Sequence, residues 1–488
     1  METIPLPAVQ LGPILPEIIM TALVCLVILV DLFLSPSRKG FVGFLTLVGL
    51  VVTGIFLARM VGQDTRAFGG MYRVDDFSTF FKFIFLGVTF LTVLISFRYL
   101  KIEEINLGEY YSLLLFSTIG MMIMASGNDL LTIYIGLELL SIPVYILVGF
   151  LKRDLASQEG GIKYFLLGIF SSAIVLYGIA LIYGYTGTIY LDGIREALGK
   201  TSSSSPLLTL SIILLTAGFA FKVALVPFHM WAPDVYEGAP TAVTAFMTAG
   251  PKAAAFAALL RVFAQGFGAP AFSAEWVPIF AVLAALTMLL GNIVAIVQQS
   301  VKRMLAYSSI AHAGYAFVAL VAHSAAGAGS VLYYLVAYAF MSLGAFTVLL
   351  IVARRDDQRH AFDDYAGLGA TNPALAAIMA LFMFALAGFP PTAGFTGKFY
   401  VFSAAAQSGY YVLAVIGVLT SVVSVVYYAR VVILMYMHEP DVEAPRIRLA
   451  PASMAALGVT VFGVLYMGIF PGGVMQLAAR SVAFLFPG

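Results

Sequence analysis

The sequence predicts an all-α polytopic membrane protein of about fourteen transmembrane helices. Two observations carry that expectation. Of 488 residues, 61% are hydrophobic and 10% charged, with 26 Lys+Arg against 25 Asp+Glu; soluble globular chains are usually about 45–50% apolar and about 25% charged. The apolar residues also fall into repeated runs close to the ~20 residues that cross a bilayer as a helix. The same numbers exclude several classes. Disorder needs low hydrophobicity, and a net charge of +1 offers no basic stripe for nucleic acid. A single cysteine, Cys25, makes no internal disulfide and no iron–sulfur or zinc site, so a redox centre would have to come from elsewhere.

In order, the spans are expected near 12–34, 40–61, 75–97, 108–126, 129–150, 160–185, 206–227, 241–265, 276–299, 302–323, 328–353, 373–406 (interrupted), 410–437 and 449–470. The first carries acidic Glu17 and no basic residues before it, which argues against a cleaved signal peptide. The longest polar stretch, Asp192 to Pro206, reads as a surface loop and leaves no room for a soluble domain. Asn128 and Asp129 read as a helix N-cap. Tyr and Phe are expected mostly as lipid-facing bulk and interfacial belt, and Met121, Met122 and Met124 as packing.

Basic residues in short loops orient the chain. After the first span lie Arg38, Lys39, Arg98, Lys101, Lys152, Arg153, Lys302, Arg303, Arg354, Arg355, Arg359, Arg446 and Arg448. The other side holds Arg59, Arg66, Arg73, Arg195, Lys200, Arg261 and Arg480. The bias puts both termini outside. Lys82, Lys163, Lys222, Lys252, Lys398 and Arg430 remain inside or at the ends of spans.

A charge at mid-bilayer costs roughly 2.5–3.5 kcal/mol on insertion scales, so it normally faces protein or water with a partner. Glu138, Lys222, Lys252 and Lys398 fall well inside spans. One carboxylate cannot neutralise three lysines, which favours a chain of proton-accepting sites over a structural ion pair. Helix breakers accompany the lysines: Pro227 after Lys222, Gly250 and Pro251 before Lys252, and GFPPTAGFTG before Lys398. Broken helices at membrane depth line cavities or protein interior. Breaks in spans 7 and 12 suggest two inverted five-helix units. The expected division is 1–107 (helices 1–3), 108–265 (helices 4–8), 276–437 (helices 9–13) and 449–488 (helix 14).

Imidazole titrates near neutrality. His312, beside Ser308, Ser309 and Tyr315, suits a relay between lysines, and so does His229 near Lys222; each fits an ordinary structural histidine as well. His323, His360 and His438 read as surface, and the five histidines show no metal-ligand spacing. Lys163 forms an i,i+4 pair with Glu159 and reads equally as a snorkelling lysine or a proton-uptake residue. Lys302 and Arg303 are mainly topology signals.

Three stretches carry a resemblance: FKVALVPFHMWAPDVYEGAPTAVTAFMTAGPKAAAFAALLRVF (221–263), VKRMLAYSSIAHAGY (301–315) and AGFPPTAGFTGKFY (387–400). They resemble the antiporter-like membrane subunits of respiratory complex I, NADH-quinone oxidoreductase, over nearly the whole chain. Within that family the N type is the nearer match, because Lys398 stands where the sister subunit M has a glutamate. The resemblance implies fourteen helices, inverted five-helix repeats and discontinuous helices 7 and 12. It implies proton translocation through Glu138 paired with Lys222, the central Lys252 and the terminal Lys398. Lys163, His229, Lys302, Tyr307 and His312 match positions near the family's polar axis. It further implies no cofactor in this chain, with NADH, FMN, iron–sulfur clusters and a quinone in other subunits, subunits L and M and small membrane subunits as partners, and a bacterial-type inner membrane. A subunit of a cation/proton antiporter or membrane hydrogenase, and a purely structural membrane-arm subunit, remain alternatives.

Overall fold

The computed structural model describes residues 10–35, 38–103, 105, 107–200, 205–353, 360–440 and 450–486. Twelve of its helices are long and apolar enough to cross a membrane. In chain order the helices are α1 (Leu15–Phe33), α2 (Gly40–Ala58), α3 (Asp76–Ile102), α4 (Gly108–Ser126), α5 (Leu130–Val148), α6 (Leu155–Thr186), α7 (Leu191–Gly199), α8 (Pro206–Val223), α9 (Trp231–Gly238) and α10 (Thr241–Leu259). They continue with α11 (Pro270–Ile296), α12 (Val301–Val321), α13 (Ala325–Val352), α14 (Leu368–Thr371), α15 (Pro373–Ala387), α16 (Ala393–Gln407), α17 (Tyr411–Met437), α18 (Pro451–Ile469) and α19 (Gly472–Val482). α4 and the pair α15/α16 stand where the sequence places spans 4 and 12, outside the twelve.

Local chemistry explains the starts. Asp75 caps α3 by accepting from the Ser78 amide at 2.8 Å. Asp129 caps α5 through the amides of Leu131 and Thr132, both at 2.9 Å, as expected for that motif. A hairpin of β1 (Thr65–Ala67) and β2 (Tyr72–Val74) joins α2 to α3 and marks one end of the bundle, the hairpin face; a Tyr72–Gly127 bridge stitches it to the α4–α5 turn. Arg354, Arg355, Arg359, Arg446 and Arg448 of the basic side lie outside the described residues, as do residues 201–204.

α10, α12 and α13 are almost wholly buried and form the centre, whereas α1, α2 and α17 are only one-third buried and form the margin. Lipid supplies no hydrophobic drive between helices, so close contact relies on small residues. A Cβ on Gly120 of α4 would meet the Leu140 amide nitrogen of α5 at 2.3 Å, and one on Gly136 the Met124 nitrogen at 2.7 Å. The same reciprocal approach recurs between α11 and α12, where Gly291 faces Ala311 and Gly314 faces Met288.

Span 7 is interrupted between α8 and α9, and span 12 between α15 and α16. The expected break at Pro251 does not form: α10 is helical through it, because a single proline removes one backbone donor without ending a helix held on all sides. The polar stretch read as a loop after Asp192 contains α7, whose Leu191, Ile194 and Leu198 bury one face.

Candidate functional site

The three buried lysines hang on different supports. Glu138, Ser141 and Tyr145 project from one side of α5 at i, i+3 and i+7. The Lys222 ammonium, in the last turn of α8, donates to Ser141 Oγ at 3.0 Å and Tyr145 Oη at 3.3 Å. The expected Glu138–Lys222 pair is therefore not a contact pair: Ser141 and Tyr145 occupy the lysine, and Glu138 Oε1 is buried with no hydrogen-bond partner among the described residues. A cavity with room for about one water lies beside them, lined by Ser141, Tyr164, Lys222 and Pro251 among others. It reaches the residue next to Lys252.

Lys252 is 3% exposed. Its ammonium donates to the Ser309 carbonyl at 2.6 Å and the Ser309 hydroxyl at 2.5 Å on α12. From there polar groups continue. The Ser308 hydroxyl bonds Tyr428 Oη, which lies 3.2 Å from His312 Nε2; His312 Nδ1 lies 2.6 Å from Tyr334 Oη. Lys398 stands 4.7 Å from the Tyr315 ring centroid and donates to the carbonyls of Leu386 (3.0 Å) and Ala387 (2.9 Å) and to Ser421 Oγ (2.8 Å). Those carbonyls belong to the end of α15, where the break leaves them without helical donors. Gly388 turns the chain at φ +95°, and a Cβ there would come 3.1 Å from Lys398 Cδ. At the other break Ala224 takes the left-handed conformation (φ 60°), and the Trp231 indole donates to the Phe221 carbonyl at 3.0 Å. Among the described residues no carboxylate pairs with Lys222, Lys252 or Lys398; all their direct polar contacts are with neutral acceptors.

The other candidates separate. Lys163 pairs with Glu159 as expected and also with Asp234 at 2.9 Å; Arg303 bridges Asp234 and Glu237, tying α6, α9 and α12 together. Lys302 is buried and donates to the Ala239 carbonyl at 2.8 Å. His229 lies in the first break with Nδ1 unbonded among the described residues, and no hydrogen bond joins it to Lys222. Tyr307 is half-buried. His323, expected on the surface, packs half-buried against Trp276 and Phe486, and His360 is half-buried near Thr241.

Two corrections concern residues given other roles. The expected belt of tyrosines is partly an interior feature: Tyr315, Tyr334, Tyr427 and Tyr428 are fully buried, with Tyr427 donating to Asn292 Oδ1 at 2.9 Å and Asn292 donating to Tyr315 Oη at 3.0 Å. Tyr315 stands one turn after His312 on α12, but Tyr334 comes from α13 and Tyr427 and Tyr428 from α17, an approach that one sequence does not reveal. Arg261, counted as a loop charge, is 0% exposed: it donates to the Ala125 carbonyl at 2.7 Å and to both oxygens of Asp75 at 2.8 and 3.0 Å. Arg73 joins Asp75 to Asp64, and Arg66 and Gln265 hold Asp192, so a charge network closes the hairpin face. The Arg73 hydrogen bond holds the Asp64 carboxyl below its usual 3.8. Partial burial works against ionisation of Asp192, but Gln265 and Arg66 outweigh it and hold that carboxyl low too.

Comparison with known proteins bears on this arrangement. The family described as "NADH:quinone oxidoreductase/Mrp antiporter, TM" matches residues 127–424, which span both breaks and all three buried lysines. NADH-quinone oxidoreductase subunit N of Trichlorobacter lovleyi is 46% identical over 98% of each chain. The chain belongs to the NADH-quinone oxidoreductase subunit N family. Subunit N 2 of Rhizobium meliloti is 44% identical over 96% of both chains. A chain of respiratory complex I from Thermus thermophilus superposes with TM-score 0.81 at 36% identity, covering 95% of this chain and 99% of that one. A chain of the Mrp complex from Dietzia shares the fold at 20% identity and TM-score 0.83, covering 98% and 97%. This subunit N relative is thus a multi-pass membrane protein of the antiporter-like fold.

Proposed function

We propose that this chain is the proton-translocating subunit N of the membrane arm of an NADH-quinone oxidoreductase, and that it does no redox chemistry itself. The observation that carries the reading is the set of three buried ammonium groups whose direct contacts are neutral hydroxyls and carbonyls. An ammonium so placed loses much hydration without gaining a counter-charge, so either protonation state is accessible. A proton reaches Lys252 from the basic side by way of the Glu138–Lys222 region. It then passes Ser309, Ser308, Tyr428 and His312 to Lys398 and leaves at the hairpin face. Lys163, Lys302, Tyr307 and His229 line the uptake side. Redox work in other subunits changes the separation of Glu138 and Lys222, whose charges interact without touching.

In this reading both termini lie outside a bacterial inner membrane, and the division at 108–265 and 276–437 gives two inverted repeats. Subunits L and M and small membrane subunits are neighbours, and NADH, FMN, iron–sulfur clusters and quinone are held elsewhere in the complex. A cation/proton antiporter role is the second reading, favoured by the fold shared with the Mrp chain. Lys252→Ala tests the assignment: an assembled complex is expected to move fewer protons per NADH oxidised. An unchanged ratio with full assembly would sink it.

A further inference from the structure

A second buried titratable cluster lies outside that axis, among the N-terminal helices. Lys82, on α3, is 0% exposed, and Glu17, in the first turn of α1, is 6% exposed. Lys82 Nζ lies 2.8 Å from Glu17 Oε1 and donates to Tyr72 Oη, on strand β2, at 2.7 Å.

Three features distinguish this cluster from a plain structural pair. First, it is incompletely bonded. The Thr79 hydroxyl has no hydrogen-bond partner among the described residues, neither Glu17 oxygen makes a well-directed bond, and Tyr72 interacts with both Glu17 and Ser126. A buried ion pair that serves stability needs its remaining lone pairs satisfied. Second, it stands in a column of hydroxyls. Ser78, Lys82, Thr89, Thr92 and Ser96 recur at helical spacing along α3, all fully buried. α4 adds partners: Thr118 Oγ1 lies 2.7 Å from Thr89 Oγ1, and Tyr110 Oη 2.8 Å from Ser96 Oγ. Third, the column points at water. Asp75 caps α3 seven residues before Lys82, about 10 Å away along the helix. Asp75 touches Arg73, which pairs with Asp64, whose side chain is 62% exposed.

The column also abuts the lysine axis. A Cβ on Gly250, two residues before Lys252, would meet Met121 of α4 at 3.1 Å and Val88 of α3 at 3.4 Å. Nine residues after Lys252, the same helical run carries Arg261, bonded to Asp75.

We propose that Glu17, Lys82 and Tyr72 form a further proton-holding site, exchanging protons with water at the hairpin face. The step is balanced within the pair. A proton moves from Lys82 Nζ to Glu17 Oε1, the charged pair becomes a neutral amine and carboxylic acid, and the reverse transfer restores it. Burial penalises the charged form and keeps the neutral one within reach. The Tyr72 hydroxyl, bonded to the lysine, holds Nζ in line and offers an oxygen toward Ser126. The proposal rests on the reading of the chain as a proton-translocating subunit.

The test uses the whole complex in proteoliposomes and measures protons moved per NADH oxidised. Glu17→Leu/Lys82→Met replaces the pair with apolar side chains of similar size, which a purely structural pair tolerates. The expected result is an assembled complex whose ratio falls toward that of Lys252→Ala. A wild-type ratio in the double variant, with Lys252→Ala lowered, overturns this inference and leaves the function standing. A lowered double variant beside an unchanged Lys252→Ala supports the site and overturns the central axis instead. If the double variant does not assemble, Tyr72→Phe decides: it keeps the ring, and a normal ratio overturns the proposal while a lowered one supports it.

Discussion

Lys222 and Lys398 both stand beside a broken span, yet they are held by opposite means. The Lys222 ammonium rests on two side-chain hydroxyls of a different helix, α5, beside a small cavity, with Glu138 on the same helix face. Lys398 rests on backbone carbonyls of its own interrupted span, with one serine from α17. A small displacement of α5 against α8 removes the support of Lys222. Lys398 is bonded to the end of α15 across the short connection at 388–392, so its support is tied to it by the chain itself. The first break is therefore built to change its contacts and the second to keep them. Under the function proposed above, the half with the unbonded Glu138 oxygen is the half expected to respond to events in neighbouring subunits.

The contrast can be broken most severely at the second break. A Cβ on Gly394 would lie 1.8 Å from the Ala385 carbonyl oxygen, a backbone atom. Gly394→Ala is expected to abolish assembly, read as loss of the subunit from the complex on native gels. Next in size, Tyr428→Phe removes the hydroxyl shared by Ser308 and His312. A several-fold slower proton flux in an assembled complex is expected; wild-type flux would remove Tyr428 from the route. Paired substitutions at the two turn residues separate the breaks next. Gly388→Ala forces alanine into a left-handed conformation at a cost of about 1–2 kcal/mol and crowds Lys398, whereas Ala224→Gly relieves the same conformation at the first break. Thermal denaturation of the purified complex should fall for the former and hold or rise slightly for the latter.

The smallest effect lies at the hairpin face. Asp64 ionises more readily in the folded protein than its usual 3.8 because Arg73 bonds it. A depressed carboxylate stabilises the fold above its unfolded value and loses that contribution as pH falls through the folded one. Hairpin cleavage by an acid protease should therefore increase in the wild type below about pH 4. Asp64→Asn, already lacking the charge, should be more susceptible above that pH and show no such rise.

Much of this arrangement was legible in the sequence. Span positions follow from apolar run length, and the break before Lys398 from two prolines and three glycines. Lys252 and Lys398 were singled out by depth alone. What stayed hidden depended on partners from distant spans. A helix apolar on every side has little periodicity, so Tyr334 and Tyr428 looked like belt residues until α12, α13 and α17 came together around His312. Arg261 looked like a loop charge, and Lys82, inside or at the end of a span, was left without a role, because Asp75 and Glu17 lie far off in the chain. Glu138 and Lys222 looked like a contact pair because Ser141 and Tyr145 give no charge signal. The α7 helix was recoverable: Leu191, Ile194 and Leu198 already carry its spacing.

The indole that caps the first break has a practical side. The chain has two tryptophans. Trp231 is 3% exposed, donates to the Phe221 carbonyl and stacks on Tyr164 at 4.5 Å. Trp276 is also buried, near the end of the helical run that carries Lys252, and donates to the Phe267 carbonyl at 3.1 Å. With Trp276 replaced by phenylalanine, this subunit's tryptophan emission comes from one indole, bonded to the carbonyl of the residue before Lys222. The protein thus contains its own optical gauge of the first break, readable during turnover without an added label once the partner subunits' tryptophans are subtracted.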